Sequence, residues 1–237
     1  MKILSTLLLT TTVLSSIAVK AQTANEIVDK YVAALGGKEK VAAIKSLYTE
    51  STMQMMGQEI PSTTYILNGK GFKNEMDFNG TKMIQCVNKD GGWMVNPGQD
   101  PQPLPAEMTK SRRIQLDIGG PLFNYAAKGN KVELIGKEDV DKIKNAYKLK
   151  VTTPDSMTMT LFIDPSTYYL IKSISNVNAM GQDFEISSTY SDYRKTDYGY
   201  PIPYTTELTI PQGNLVLTTK KVEVNKDIDP KIFEMPK

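Results

Sequence analysis

The chain has 237 residues, with 28 Lys and Arg against 26 Asp and Glu, one cysteine and no histidine. The lack of histidine excludes Ser-His-Asp and Cys-His catalysis, His-ligated metals and an imidazole switch near neutral pH. The lone Cys86 excludes an intrachain disulfide and any Cys-x-x-Cys site.

The first element along the chain is an address. Met1-Lys2 precede an apolar run, Ile3 to Val19, broken by several Ser and Thr. The run is shorter than the ~20 apolar residues of a membrane span. It ends in Val19-Lys20-Ala21, a small-residue site suited to cleavage after Ala21. Residues 1–21 therefore read as a signal peptide for export, with no transmembrane segment in the mature chain. Cleavage removes Lys2 and Lys20 but no acid, which leaves 26 basic and 26 acidic residues in residues 22–237. A formally neutral surface with only three arginines (Arg112, Arg113 and Arg194) argues against nucleic acid as a partner. No linker or repeat divides residues 22–237, which read as a single domain held together by burial.

The mature chain opens with a capping box, Thr23-Ala24-Asn25-Glu26. Ile27, Tyr31, Ala34 and Leu35 form one apolar stripe of the helix that follows, and Gly36-Gly37 stops it. A short helical turn is expected around Lys38 to Ile44. From Ser46 the period changes to two: Leu47, Met53 and Met55 share one strand face, with Tyr48, Glu50, Thr52 and Gln54 on the other. Phe72, Met76 and Phe78 alternate in the same way. Asn79-Gly80 marks a tight hairpin into Thr81 to Asn88, and Asp90-Gly91-Gly92 turns into Trp93-Met94-Val95.

A Pro-rich stretch, Asn96 to Pro105, reads as a rigid surface connection. Ala106 to Asp117 is rich in helix formers and ends at Gly119-Gly120-Pro121. Strand signals resume at Lys131 to Gly136 and Ala146 to Thr152. They continue in Met157, Met159, Leu161 and Ile163, which alternate with Thr158, Thr160 and Phe162. Tyr169 to Val177, Phe184 to Tyr190 and Tyr204 to Ile210 follow, and Gln212-Gly213-Asn214 closes a last hairpin onto Leu215 to Asn225. Roughly ten antiparallel strands with few helices give a mainly β chain. A sheet of that length with one apolar face must curl or be covered, so a strongly curved antiparallel sheet with helices in its mouth is expected.

The acidic pair Asp183 and Glu185 would project from one strand face, and its plain reading is a solvated surface. Cys86 reads as a small buried hydrophobe. Trp93 fits a ligand site or a core plug equally. Eleven methionines remain after residue 21, and Met53, Met55, Met76, Met157 and Met159 fall on expected inward faces. Unbranched thioethers suit ligands of variable shape, and equally an irregular core.

The order of these elements resembles the periplasmic outer-membrane lipoprotein carrier (LolA-like) family. The resemblance rests on the helix Ala24 to Tyr31 ending Leu35-Gly36-Gly37, the first meander, Asp90-Gly91-Gly92-Trp93, the helical insertion and the second meander. It extends to Phe162-Ile163-Asp164-Pro165-Ser166-Thr167 and to the tail Val224 to Pro236. It implies an unclosed β-barrel whose concave face is lidded by helices and takes acyl chains of lipoproteins or another lipid, handed between inner- and outer-membrane transfer proteins. Neither a cofactor nor a metal is implied, and no enzymatic activity. Characterised carriers place an inward Arg on an early strand; here Leu47 to Met55 has none, and Arg112 and Arg113 lie in the insertion. The candidates for cavity lining are Met53, Met76, Trp93, Met157, Leu161, Phe184 and Leu208. The alternative on the same architecture is an envelope regulatory or scaffolding module that binds another envelope protein.

Overall fold

The structure, a computed structural model, describes residues 22–55, 57–179, 182–211 and 213–236. The expected signal peptide and Gln212 lie outside the described residues, as does the side chain of Asp183. Helix α1 spans Ala24–Ala34 and carries the expected capping box: Glu26 N–H donates to Thr23 Oγ1 at 3.3 Å, and Thr23 N–H to the Glu26 carboxylate at 3.1 Å. Gly36 and Gly37, both at positive φ, reverse the chain into the short α2 (Lys38–Ala42).

Five strands follow: β1 (Ser46–Met55), β2 (Gln58–Leu67), β3 (Gly71–Phe78), β4 (Thr81–Asn88) and β5 (Gly92–Val95). The β3–β4 turn has Asn79 at φ 55° and Gly80 at φ 86°, the pair of left-handed residues that an Asn-Gly hairpin supplies. The two-residue β6 (Gln102–Pro103) leads into α3 (Ala106–Arg112) and a 3₁₀ turn, Arg113–Leu116. The second meander comprises β7 (Lys131–Val140), β8 (Ile143–Thr152), β9 (Thr158–Ile163), β10 (Leu170–Ala179), β11 (Gln182–Lys195), β12 (Pro201–Ile210) and β13 (Gly213–Val224). A terminal 3₁₀ turn covers Pro230–Phe233.

All thirteen strands form one antiparallel sheet in the order β6-β5-β4-β3-β2-β1-β13-β12-β11-β10-β9-β8-β7. It is an unclosed barrel: β6 and β7 are its two edges, and β1 pairs with β13 to join the meanders. The segment linking β6 to β7 contains α3 and its 3₁₀ turn, so the helical insertion starts at one edge and ends at the other.

Two strands went unexpected. The two-residue β6 is too short to show a period, and β2 carries Pro61 followed by Ser62-Thr63-Thr64, a polar run with no alternation. Pro61 is tolerated because it pairs with Thr52 of β1 alone; the β2–β3 ladder begins one residue later, at Ser62.

The inner face is fixed by register. Leu161 sits opposite Ser173, Ser173 opposite Ser188, Ser188 opposite Leu208, and Leu208 opposite Leu215. On the other side of the seam Leu217 pairs with Met53, Met53 with Ile60, Ser62 with Met76, and Met76 with Met83. At the β7–β10 end this face is filled. Ile27, Val28, Tyr31 and Leu35 pack with Leu122, Phe123, Leu149, Val151, Leu161 and Ile163 into the main core.

The outer face is not uniformly wet. Phe162, expected to point outward, does so but is fully buried in a second cluster with Val140, Ala146 and Ile171. The ammonium groups of Lys148 and Lys172 stand 5.5 and 5.6 Å from its ring centroid. A third cluster joins Cys86, Trp93, Ile228 and Phe233 where the C-terminal tail crosses β3 and β4. Cys86 is fully buried, as expected, and burial pushes its thiol up to about 12.

Candidate ligand-binding site

The insertion is held mainly by the first meander, and Tyr200, between β11 and β12, adds one hydrogen bond to Ile118 O at 3.3 Å. Leu104 N–H donates to Gly92 O at 2.8 Å, Gly69 N–H to Leu116 O at 2.7 Å, and Ile118 N–H to the Asn68 side chain at 3.2 Å. Gly92 allows the approach, because a Cβ there would lie 2.9 Å from the Leu104 side chain. Toward β9, β10 and β11 the insertion makes no hydrogen bond among the described residues. On that side lies a cavity of about 350 Å³.

The cavity has two kinds of wall. Ile114, Pro121, Met157, Met159, Leu161 and Leu170 are apolar; Ser173, Ser175, Ser188 and Tyr190 present hydroxyls from β10 and β11. Ser173 Oγ and Tyr190 OH are paired at 2.9 Å. Gln115 lines the cavity from the insertion, and its Oε1 is buried away from solvent without a hydrogen-bond partner. A second, more open cavity of about 530 Å³ shares Ile114, Pro121 and Met157, and adds Lys110, Arg113, Asp117, Lys128 and Asp155. The three shared residues lie between the two cavities.

The expected lining residues divide. Met157 and Leu161 line the cavity, and Met159, expected on the same face, joins them. Met53, Met76, Phe184 and Leu208 stand on the same inner face by register or alternation, further round the curve and half-buried. Trp93 is the correction: it pairs with Cys86 on the opposite face, 4% exposed, and its indole donates to Phe233 O at 3.0 Å. It is a plug under the C-terminal tail. Gln115 and the serines went unread, since nothing in their local sequence marks them as facing a cavity.

Arg112, at the end of α3, makes no ion pair among the described residues, and burial lowers its guanidinium from the ordinary value. No group of three Asp, Glu, Cys or His residues is arranged for a metal among the described residues, and no helix there is long and apolar enough to cross a membrane.

No family model matches the sequence, and no curated protein does. Solved structures do match. A LolA superfamily protein from Nitrosomonas europaea superposes with a TM-score of 0.59 at 14% identity, covering 90% of this chain and 98% of its own. The fold is LolA-like. A DUF1329 family protein from Desulfovibrio piger gives 0.57 at 16% identity, covering 89% and 97%. A domain named for outer membrane lipoprotein sorting, from Vibrio parahaemolyticus, gives 0.55 at 14% identity, covering 88% and 94%. Identities this low establish the LolA-like fold and leave the cargo to be argued from the cavity.

Proposed function

We propose that the protein is an exported carrier or binding protein for an acyl-bearing hydrophobic ligand in the bacterial envelope, a lipid or the acyl chains of a lipoprotein. The observation that carries this reading is the cavity of about 350 Å³ between the insertion and the inner face of β9–β11, strands to which the insertion makes no hydrogen bond among the described residues. That volume falls at the small end of ligand pockets, roughly 300–1,000 Å³. The half-buried Met53, Met76, Leu208 and Phe184 continue the apolar surface beyond it. The LolA-like fold and the expected signal peptide support the same reading.

Entry follows from the hydrogen bonds. The Leu104 and Leu116–Ile118 contacts hold the insertion to β2–β5, while no hydrogen bond among the described residues ties Ser111, Ile114 or Gln115 to β9–β11. An acyl chain leaving water gains about 0.8 kcal/mol per buried methylene. Leaving a bilayer it gains almost nothing, so direction has to come from donor and acceptor proteins and from the energy of seating the lid. No proton transfer takes part, in keeping with a sequence without histidine.

The test is native mass spectrometry of the purified protein with lipid extraction, followed by titration with a diacylated lipopeptide. Copurified or titrated lipid is expected, and Met157→Asp, half-buried between the two cavities, should weaken lipopeptide binding at least about tenfold, some 1.4 kcal/mol. A folded protein that carries no lipid and refuses the lipopeptide overturns the reading.

A further inference from the structure

We propose that, once the chain is cut after Ala21, the folded protein closes its own Gln22 into an N-terminal pyroglutamyl lactam, assisted by the hydroxyls of Tyr147 and Tyr168. The inference rests on the expected cleavage site and is independent of the carrier reading.

Cleavage there makes Gln22 the first residue. Its side chain is held between two phenols: the Tyr147 hydroxyl donates to Gln22 Oε1, and Gln22 Nε2 lies 3.4 Å from the Tyr168 hydroxyl. Turned the other way about, the amide meets the same pair, so in either orientation its carbonyl oxygen has a phenol to donate to it and its nitrogen faces the other. The two rings are stacked, with centroids 6.1 Å apart and planes at 17°. Lys30 of α1 donates to Tyr168 OH at 3.1 Å. Tyr168 is held in this place by its backbone, whose φ of 58° is a left-handed conformation that tyrosine seldom adopts. The Asp164-Pro165-Ser166-Thr167 turn imposes it, with Tyr168 N–H donating to Asp164 O at 2.9 Å and Asp164 N–H to Tyr169 O at 3.0 Å.

The α-nitrogen and Cδ of Gln22 belong to one residue and close a five-membered ring, so nearness is given and the slow part is expelling the amide nitrogen. The free α-amine attacks Cδ, and the Tyr147 hydroxyl stabilises the oxygen on which charge develops. As the new Cδ–N bond forms, the Cδ–Nε2 bond breaks. Nε2 leaves as ammonia with a proton from Tyr168, which Lys30 replenishes, and the attacking nitrogen gives one of its own protons to water. Hydrogen bonds from Gln22 and Lys30 pull the Tyr168 phenol below its ordinary value, which makes it the better acid. The product has a neutral N-terminus without a primary amine.

To test this, the chain is released from a precursor by a site-specific protease that leaves Gln22 first, and its intact mass is followed with time in buffer and in guanidinium chloride. Loss of one ammonia should run at least about tenfold faster in the folded protein than in the unfolded one. Tyr147→Phe and Tyr168→Phe, which keep the rings, should each slow it about three- to tenfold. Lys30→Met should slow it as well, and Lys30→Arg should restore it. Equal rates in the folded and unfolded chains, or a slower folded chain, overturn the proposal, and this comparison needs no variant to fold. Phenylalanine variants that keep the wild-type rate overturn the part given to the two hydroxyls. Protein exported from a bacterial host should carry the lactam; a free Gln22 amine on it, or another first residue, overturns the proposal too.

Discussion

The inner face of the sheet is covered by two helical pieces, and they treat it differently. Helix α1 brings Ile27, Val28, Tyr31 and Leu35 onto Leu149, Val151, Leu161 and Ile163, branched and aromatic side chains that form one buried cluster. The insertion brings Ser111, Ile114 and Gln115 over Met157, Met159 and a row of serines, and a cavity remains. Leu161 belongs to both regions, so the boundary runs through one strand. Whether a concave sheet becomes core or cavity is set here by the residue types on the covering helix and by flexible thioethers beneath it. The sheet's alternation is the same in both places.

The largest expected effect would break this contrast if it failed. Ile27 is fully buried in the filled half, and Ile27→Ala should cost about 2–5 kcal/mol in urea unfolding. Met53→Ala, on the half-buried part of the same face, should cost no more than about 1 kcal/mol and should lower lipid retention instead. Equal losses of stability would mean that both halves are core.

A second substitution asks whether the outer cluster around Trp93 is packed as tightly as the α1 half. A Cβ at Gly71 would press directly on the Phe233 ring. Gly71→Ala should therefore displace the tail at a cost of about 1–3 kcal/mol. Trp93 would be exposed, and a red shift of its fluorescence should accompany the loss. Unchanged emission and stability would show a loosely held tail.

The smallest effect lies on the solvent side of the open half. Burial tends to raise the Glu75 carboxyl, but hydrogen bonds from Lys73 and Lys82 outweigh it, and the group ends below its ordinary value. A carboxylate depressed in the folded state contributes stability above its unfolded pKa and loses it as pH falls through the folded value. At neutral pH Glu75→Gln should cost only about 0.5 kcal/mol, since solvent screens such pairs. The difference between thermal melts of the two proteins should shrink as acid protonates the carboxylate, at a pH below the ordinary glutamate range. A difference that stays constant through acid titration would assign the cost to packing.

The sequence was most readable where one local force decides the structure. The capping box at Thr23 and Glu26, the Asn79-Gly80 hairpin and the alternation of Met157 to Ile163 each appear where expected. It was least readable where the deciding partner is distant. Trp93 could have faced either way, because its four-residue strand shows parity but not which side is inside; the choice is made by Phe233, at the other end of the chain. β2 was hidden by Pro61 and a polar run, and is held by ladders on both sides. Of the candidate site, its apolar half was legible as inward methionines. Its polar half was not, since Ser173, Ser188 and Gln115 look like ordinary surface residues until the sheet curls and the insertion crosses it.

The pairing of β1 with β13 has a consequence for the growing chain. Every other pair of neighbours in the sheet is consecutive in sequence, and each forms as a local hairpin; this one joins Leu47 to Val224. Contacts of such separation form late and slowly. Until residues 213–224 emerge, β1 offers a bare hydrogen-bonding edge beside Met53 and Met55, and in that interval the chain is most prone to pair with the wrong strand.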